Sequence, residues 1–209
     1  MKVRKFTSQL KIMRYKTLSI IIPVYNEEKF IDKVLENVIE ADSLGLRKEI
    51  IIVDDASFDK SRAKIVHYIK EKKPKNKKFK IKTIFKKKNE GKGAAVRMGI
   101  LASNGDIVLI QDADLEYSPQ DYPFLLEPFF KYQADVVYGS RFLTNRPHRV
   151  LYFWHALGNY ILTTFSNIFT NLNLTDMETG YKVFRGDLIR EIAKKLKSKG
   201  FGFEPEITA

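Results

Sequence analysis

The acids of this 209-residue chain carry its strongest chemical signal. Asp112 and Asp114 follow the wholly apolar run Ile107–Ile110, and a spacing of two in extended backbone turns both carboxylates to one face. Side by side they repel unless a cation lies between them. Mg2+ or Mn2+ suits that place, because such ions accept one or two carboxylates and complete their shell with water and phosphate oxygens. The spacing therefore points to a metal–diphosphate site, against the blander alternative of a solvated turn. Asp54 closes a second apolar run, Ile50–Val53, where its carboxylate can accept a hydrogen bond from a nucleobase imide N–H while Tyr25 offers a face for stacking. Asp55 serves equally well as the cap of a helix starting near Ser57.

Cationic groups stand at comparable places. Lys92, within Asn89-Glu90-Gly91-Lys92-Gly93, precedes a helical pattern where a lysine and backbone N–H groups can meet an anion. The segment is not a P-loop, which requires glycine where Lys86 stands and Ser or Thr where Gly93 stands. Nor is it a dinucleotide fingerprint, which requires glycine at Val96. Arg141 follows Gly139-Ser140, with Arg146 and Arg149 beyond, and guanidinium forks suit phosphate.

Such residues need a scaffold that brings strand ends together. Short β-branched runs at Leu18–Ile22, Glu49–Val53, Lys80–Phe85, Ile107–Ile110 and Asp135–Tyr138 alternate with amphipathic stretches near Glu27–Asp42, Ser57–Lys72, Gly93–Ser103 and Pro119–Lys131. That alternation predicts an α/β fold, an open, mostly parallel twisted sheet with helices on both faces, whose ligands bind beyond the carboxyl ends of the strands. Asn26 reads as the cap of the first helix, with Glu27 and Glu28 in its first turn.

Composition narrows the chemistry further. With no cysteine there is no disulfide framework, thiolate metal site or cysteine nucleophile. The net charge of +12 suggests nucleic acid or an anionic membrane, but its distribution matters more. Residues 70–92 hold twelve lysines against two glutamates in a segment that reads as a basic hairpin, and residues 1–17 form a leader with six basic groups and no acid. The remainder is mildly acidic. Only Phe79 and Phe85 interleave the lysines, too few for base stacking, so no nucleic-acid partner is expected.

The ordered set Pro23-Val24-Tyr25-Asn26-Glu27, Val53-Asp54-Asp55, Asn89-x-Gly91-Lys92-Gly93, Asp112-Ala113-Asp114 and Gly139-Ser140-Arg141 resembles the family 2 glycosyltransferases, and among them the polyprenyl-phosphate (dolichyl-phosphate) mannosyl- and glucosyltransferases. The resemblance runs from about Leu18 to Ala209 and implies a GT-A catalytic domain over residues 18–209. It implies inverting, metal-dependent transfer of a hexose from a nucleotide-diphosphate sugar. Pro23, Tyr25, Glu27, Asp54 and Asp112 would hold the nucleotide, Asp114 with Glu116 the metal, and Arg141 the donor diphosphate or the acceptor phosphate. Glu116 stands where many dolichyl-phosphate mannosyltransferases have glutamine, and Asp176–Lys182 where they show a Ser-Gly-Phe type of segment, so glucose and mannose both remain open as the donor sugar.

Two acceptors are compatible with this reading. A polyprenyl phosphate is largely ionised near neutrality and needs no base. A sugar hydroxyl needs one, for which Asp176 and Glu178 are the candidates. Residues 150–175 contain no Asp, Glu, Lys or Arg, and a helical stripe of Trp154, Leu157, Ile161, Phe165, Ile168 and Leu172 opposes a polar one that includes Asn159 and Thr163. This helix either lies on a membrane or packs into the core. The expected location is the cytoplasmic face of a membrane, held peripherally, with the lysines toward anionic headgroups. The final residues, Phe201–Ala209, lack a polar tail and read as a point from which the natural chain continues.

Overall fold

The computed structural model describes residues 15–71, 79–142, 152–200 and 202–209. Its centre is four parallel strands, β1 (Thr17–Val24), β2 (Arg47–Asp54), β3 (Phe79–Phe85) and β4 (Ile107–Ile110). Two further strands, β5 (Val136–Tyr138) and β6 (Lys182–Arg185), complete a six-stranded sheet in the order β3-β2-β1-β4-β6-β5. β6 runs antiparallel to both of its neighbours. The helices are α1 (Ile31–Glu40), α2 (Ser61–Glu71), α3 (Lys92–Leu101), α4 (Tyr122–Lys131), α5 (Phe153–Thr170), α6 (Gly186–Lys195) and the short α7 (Phe203–Thr208).

Strand periodicity builds a core on each face. Ile20, Ile22, Ile50, Ile52, Ile107 and Leu109 bury themselves with Val34, Leu35 and Val38 of α1 and Leu126 and Phe129 of α4. Their neighbours Ile21, Ile51, Val53, Val108 and Ile110 point the other way, against Val96 and Ile100 of α3, Ile189 and Ala193 of α6, and Ile207 of α7. Burial on both faces explains why these runs are continuously apolar. The chain leaves β1 toward β2 and β3, then returns to place β4 on the other side of β1. That reversal opens a crevice beyond the carboxyl ends of β1 and β4, where ligands of open α/β sheets bind.

Three expectations change. Asn26 does not cap α1: its backbone is left-handed, φ 58°, and its side-chain oxygen accepts from Phe58 N–H at 3.0 Å across the next loop. The helix begins four residues later, behind Phe30. The described parts of the lysine-rich segment form no hairpin: they are the last turn of α2, the edge strand β3, which runs parallel to β2 and whose outward Lys80 and Lys82 guard the sheet edge against pairing, and the loop into α3. The leader reaches into the fold, for Tyr15 is buried with its ring edge-on to Phe129 at 6.2 Å and to Phe130 at 5.9 Å. Residues 1–14 lie outside the described residues.

Helix α3 crosses the sheet closely enough that a Cβ on Gly99 would stand 2.3 Å from Ile21 Cγ2 and 3.3 Å from Val53 Cγ2. Gly99→Ala therefore overfills this core. Despite alanine's better helix propensity, we expect a loss of about 1–2 kcal/mol in denaturant unfolding.

Candidate active site

The first part of the site is the carboxyl edge of β1, β2 and β3, where Val24, Asp54 and Phe85 lie abreast in register. Pro23 stands one step back beside Val53, and Tyr25 one step beyond, half-exposed and edge-on to Phe58 at 6.1 Å. Asp54 is fully buried. One of its oxygens, Oδ2, accepts from Arg62 Nη2 at 2.6 Å and Nε at 3.1 Å, whereas Oδ1 has no hydrogen-bond partner. Arg62 is itself held by the Lys86 carbonyl at 3.0 Å and lies over the Phe85 ring at 5.0 Å.

Asp55 is neither a helix cap nor exposed. Its carboxylate pairs with the buried Lys86 ammonium and accepts from the backbone N–H of Glu90 and, at 2.7 Å, of Gly91. It thus shapes the loop that delivers Lys92. Gly91 adopts φ 93°, and a Cβ there would stand 2.4 Å from the Lys199 carbonyl oxygen. Lys92 Nζ then reaches Asp112 at 2.8 Å and Glu204 at 3.3 Å. Burial alone would lower its pKa, but the two carboxylates outweigh it and hold the ammonium firmly protonated. Glu204 also pairs with Lys182, a fully buried lysine that donates to the carbonyls of Met177 at 2.9 Å and Thr179 at 2.5 Å. Burial lowers the Lys182 pKa against the pull of Glu204.

Beyond β4 the expected alternation holds: Gln111 and Ala113 are buried, while Asp112 and Asp114 point outward. Gln111 fixes this loop from beneath. Its Nε2 donates to the carbonyls of Asp112 (3.0 Å) and Tyr117 (3.2 Å), and its Oε1 accepts from the hydroxyls of Tyr122 (2.9 Å) and Tyr181 (3.1 Å). A Cβ on Gly180 would lie 2.2 Å from Asp112 Oδ2, so only glycine lets the Asp176–Lys182 segment pass under this carboxylate. The Glu27 carboxyl is pushed above the usual range by burial and then by the charges of Asp114, Asp59 and Asp112. Negative potential therefore accumulates between β1 and β4. Among the described residues no three acids or histidines are close enough to hold a metal ion unaided. The donor set still suits a hard cation, because Asp114 and Glu116 present exposed carboxylate oxygens and such ions take their remaining ligands from phosphate and water.

The third part lies beyond β5. Arg141 grips the fully buried Asp176 with Nε and Nη2, both at 2.8 Å, and with its own backbone N–H at 3.1 Å. That bond raises the guanidinium pKa further and occupies both Asp176 oxygens. Glu116 Oε1 is 3.9 Å from Arg141 Nη1. Arg141, Glu116 and Glu178 share a cleft of about 590 Å³ with residues of α5. Glu178 is half-buried, and burial followed by the charge of Glu204 raises its pKa.

Helix α5 is mounted with its apolar stripe outward. Trp154, Ile161, Phe165 and Ile168 are exposed along with Phe153, Tyr160 and Phe169, whereas Asn159 and Thr163 face the protein. The core-packing alternative for this stripe is therefore overturned. Among the described residues no helix is long and apolar enough to cross a membrane.

The structure thus gathers Tyr25, Glu27, Asp54, Lys92, Asp112, Asp114, Glu116, Arg141, Asp176 and Glu178 around one crevice, while Arg146 and Arg149 lie outside the described residues. Sequence reading missed Arg62, Lys86, Lys182, Glu204 and Gln111. Their partners are distant in the chain, and only the apolar setting of Lys182 between Tyr181 and Val183 offered a local signal. Arg141→Ala strands a buried carboxylate, so we expect a loss of about 3–5 kcal/mol in denaturant unfolding, of which Arg141→Lys, lacking the fork, recovers only part.

Comparison with known proteins bears on the family and the fold. The model of the family described as glycosyl transferase family 2 matches residues 19–193. The chain is 30% identical over 203 residues to dolichyl-phosphate beta-glucosyltransferase of Dictyostelium discoideum, covering 91% of this chain and 60% of that one. It is 32% identical over 126 residues to dolichol-phosphate mannosyltransferase of Pyrococcus furiosus, covering 60% of this chain and 33% of that one. It therefore spans between one third and three fifths of the length of these relatives. Among solved structures, glucosyl-3-phosphoglycerate synthase of Mycobacterium tuberculosis, in complex with Mn2+, UDP and phosphoglyceric acid, superposes with a TM-score of 0.68 at 18% identity, over 96% of this chain and 65% of that one. That likeness matches the GT-A architecture expected from the motifs. With the family model spanning most of the chain, from the first strand into α6, this protein belongs to glycosyl transferase family 2.

Proposed function

We propose that this chain transfers a hexose, glucose or mannose, from a nucleotide-diphosphate sugar to a polyprenyl phosphate at a membrane surface, with inversion at the transferred carbon. The observation that carries the acceptor class is the pairing of a guanidinium with lipid-like surface: Arg141 lines a cleft whose other wall is α5, a helix that turns an apolar, aromatic-rich face outward. A cation beside an exposed apolar helix suits a phosphate carried on a hydrocarbon chain. The names of the two relatives support this, being a dolichyl-phosphate beta-glucosyltransferase and a dolichol-phosphate mannosyltransferase.

In this reading the nucleobase stacks on Tyr25 and its N–H donates to the unpaired Oδ1 of Asp54. Pro23 and Glu27 border the same strand end, and Lys92, held by Asp112 and Glu204, meets the diphosphate. Asp114 and Glu116, with Asp112 beside them, would hold Mg2+ or Mn2+, which when bound offsets charge on the departing diphosphate. An acceptor phosphate oxygen, oriented by Arg141, attacks the anomeric carbon as the bond to the nucleotide diphosphate breaks and its electron pair leaves with that group. The fixed cations need no reorganisation as charge develops, which is where electrostatic catalysis gains most. Asp176 acts here through Arg141, as its positioning residue.

A sugar hydroxyl as acceptor is the second reading, favoured by Glu178, a carboxylate lining the cleft whose pKa burial raises. Glu178→Gln separates the two. Turnover within about threefold of wild type fits a phosphate acceptor, and a loss of about a hundredfold or more fits a general base.

Donor binding is tested by thermal unfolding with Mn2+ and either UDP-glucose or GDP-mannose. We expect stabilisation by one of them that requires the metal and disappears in Asp114→Ala. No shift with either donor contradicts the proposal.

A further inference from the structure

Three polar side chains, Asn159, Thr163 and Asn167, recur every fourth residue along one side of α5. Two of them tie the helix to the segment before β6. Thr163 Oγ1 accepts from Met177 N–H at 3.1 Å, and Asn167 forms a two-bond bridge with Leu174, donating to its carbonyl at 2.8 Å and accepting from its N–H at 2.9 Å. Asn159 is 8% exposed, yet neither its Nδ2 nor its Oδ1 has a hydrogen-bond partner. This is unusual, since a buried amide without partners carries its full desolvation penalty. Gln111 is the contrast within the same molecule, a buried amide making four hydrogen bonds.

Asn159 differs from its two helix neighbours in lining the cleft that also holds Glu116, Arg141 and Glu178. Its amide lacks both a donor for Oδ1 and an acceptor for Nδ2, and that double deficit selects among the groups that could enter. A phosphate offers acceptors only and leaves Oδ1 unpaired; an isoprenoid chain satisfies neither atom. A sugar hydroxyl donates and accepts, and two adjacent hydroxyls match both edges of an amide. In the glycosyl-transfer reading, on which this inference rests, the group between Glu116 on the metal side and Arg141 on the acceptor side is the hexose in transit.

We infer that Asn159 binds hydroxyl groups of the transferred hexose and is a specificity-determining residue for the sugar rather than for the nucleotide or the acceptor. Its amide remains on an otherwise engaged helix face because the sugar completes its hydrogen bonds.

The test is calorimetric titration of wild type, Asn159→Ala and Asn159→Leu with UDP and UDP-glucose, and with GDP and GDP-mannose, all with Mn2+. For the nucleotide pair that binds, both variants should lower affinity for the nucleotide sugar relative to the bare nucleotide by about tenfold, the value of one or two neutral hydrogen bonds, with nucleotide affinity within twofold of wild type. Asn159→Leu, close in volume and without polar atoms to satisfy, should keep or raise the melting temperature, so the loss cannot be ascribed to unfolding. An unchanged ratio in both variants overturns the inference, as does a ratio that holds while affinity for a short isoprenoid phosphate falls, which would assign the amide to the acceptor. Wild-type protein that binds none of the four ligands would instead overturn the glycosyl-transfer reading itself.

Discussion

The fold tolerates its buried acids because each is paired with a cation. Asp54 has Arg62, Asp55 has Lys86, Asp176 has Arg141, and Asp112 and Glu204 share Lys92 while Lys182 completes the set. Removing an ion from water costs several kcal/mol, so such pairs contribute little net stability but are costly to break singly. They act as geometric constraints instead. The run from Asp112 through Lys92 and Glu204 to Lys182 joins the end of β4, the start of α3, the start of α7 and β6, and Lys182 passes the constraint on to the carbonyls of Met177 and Thr179. Asp114, with no cation partner among the described residues, is exposed, as is Glu116, whose contact with Arg141 at 3.9 Å is loose. Under the proposed function they are the ones that would hold the metal.

The sheet supplies the rest of the positioning. Because β1 is flanked by β2 and β4, three successive strand ends deliver Tyr25, Asp54 and Asp112 to neighbouring places without any long loop. Glycine permits the closest approaches. Gly180 admits the Asp112 carboxylate, and Gly91 lets the loop before α3 pass beneath the Lys199 carbonyl. The basic segment that dominates the net charge is divided in role. Lys86 and Lys92 are internal counter-ions, whereas Lys80 and Lys82 stand outward on an edge strand where a surface of opposite charge can meet them.

Much of this was legible in the sequence because it is local. Strands β1, β2 and β4 announce themselves as apolar runs, and the motif acids follow the ends of β2 and β4 closely. What was not legible depends on contacts made across the chain. Asn26 has the composition of a cap but a left-handed backbone, and its side chain serves a loop 32 residues away. Lys92 and Glu204 meet only once the sheet has formed. β6 enters antiparallel between β4 and β5, which no alternation of strands and helices foretells. The apolar stripe of α5 was visible as periodicity, but periodicity identifies a face and not what covers it. That the polar face turns inward, and that Asn159 alone of its three inward amide and hydroxyl groups is unpaired, required the structure.

The outward apolar face of α5 and the cation in the cleft behind it together point to a phosphate on a hydrocarbon chain, and the acceptor is the element of the account most open to direct measurement. The decisive assay supplies radiolabelled nucleotide hexose and Mn2+ with vesicles containing either a polyprenyl phosphate or the corresponding polyprenol, and follows label into the lipid phase. We expect label in a phosphodiester-linked lipid with the phosphate and none with the alcohol. Transfer to the alcohol, or label appearing only on an added sugar hydroxyl, would contradict the account.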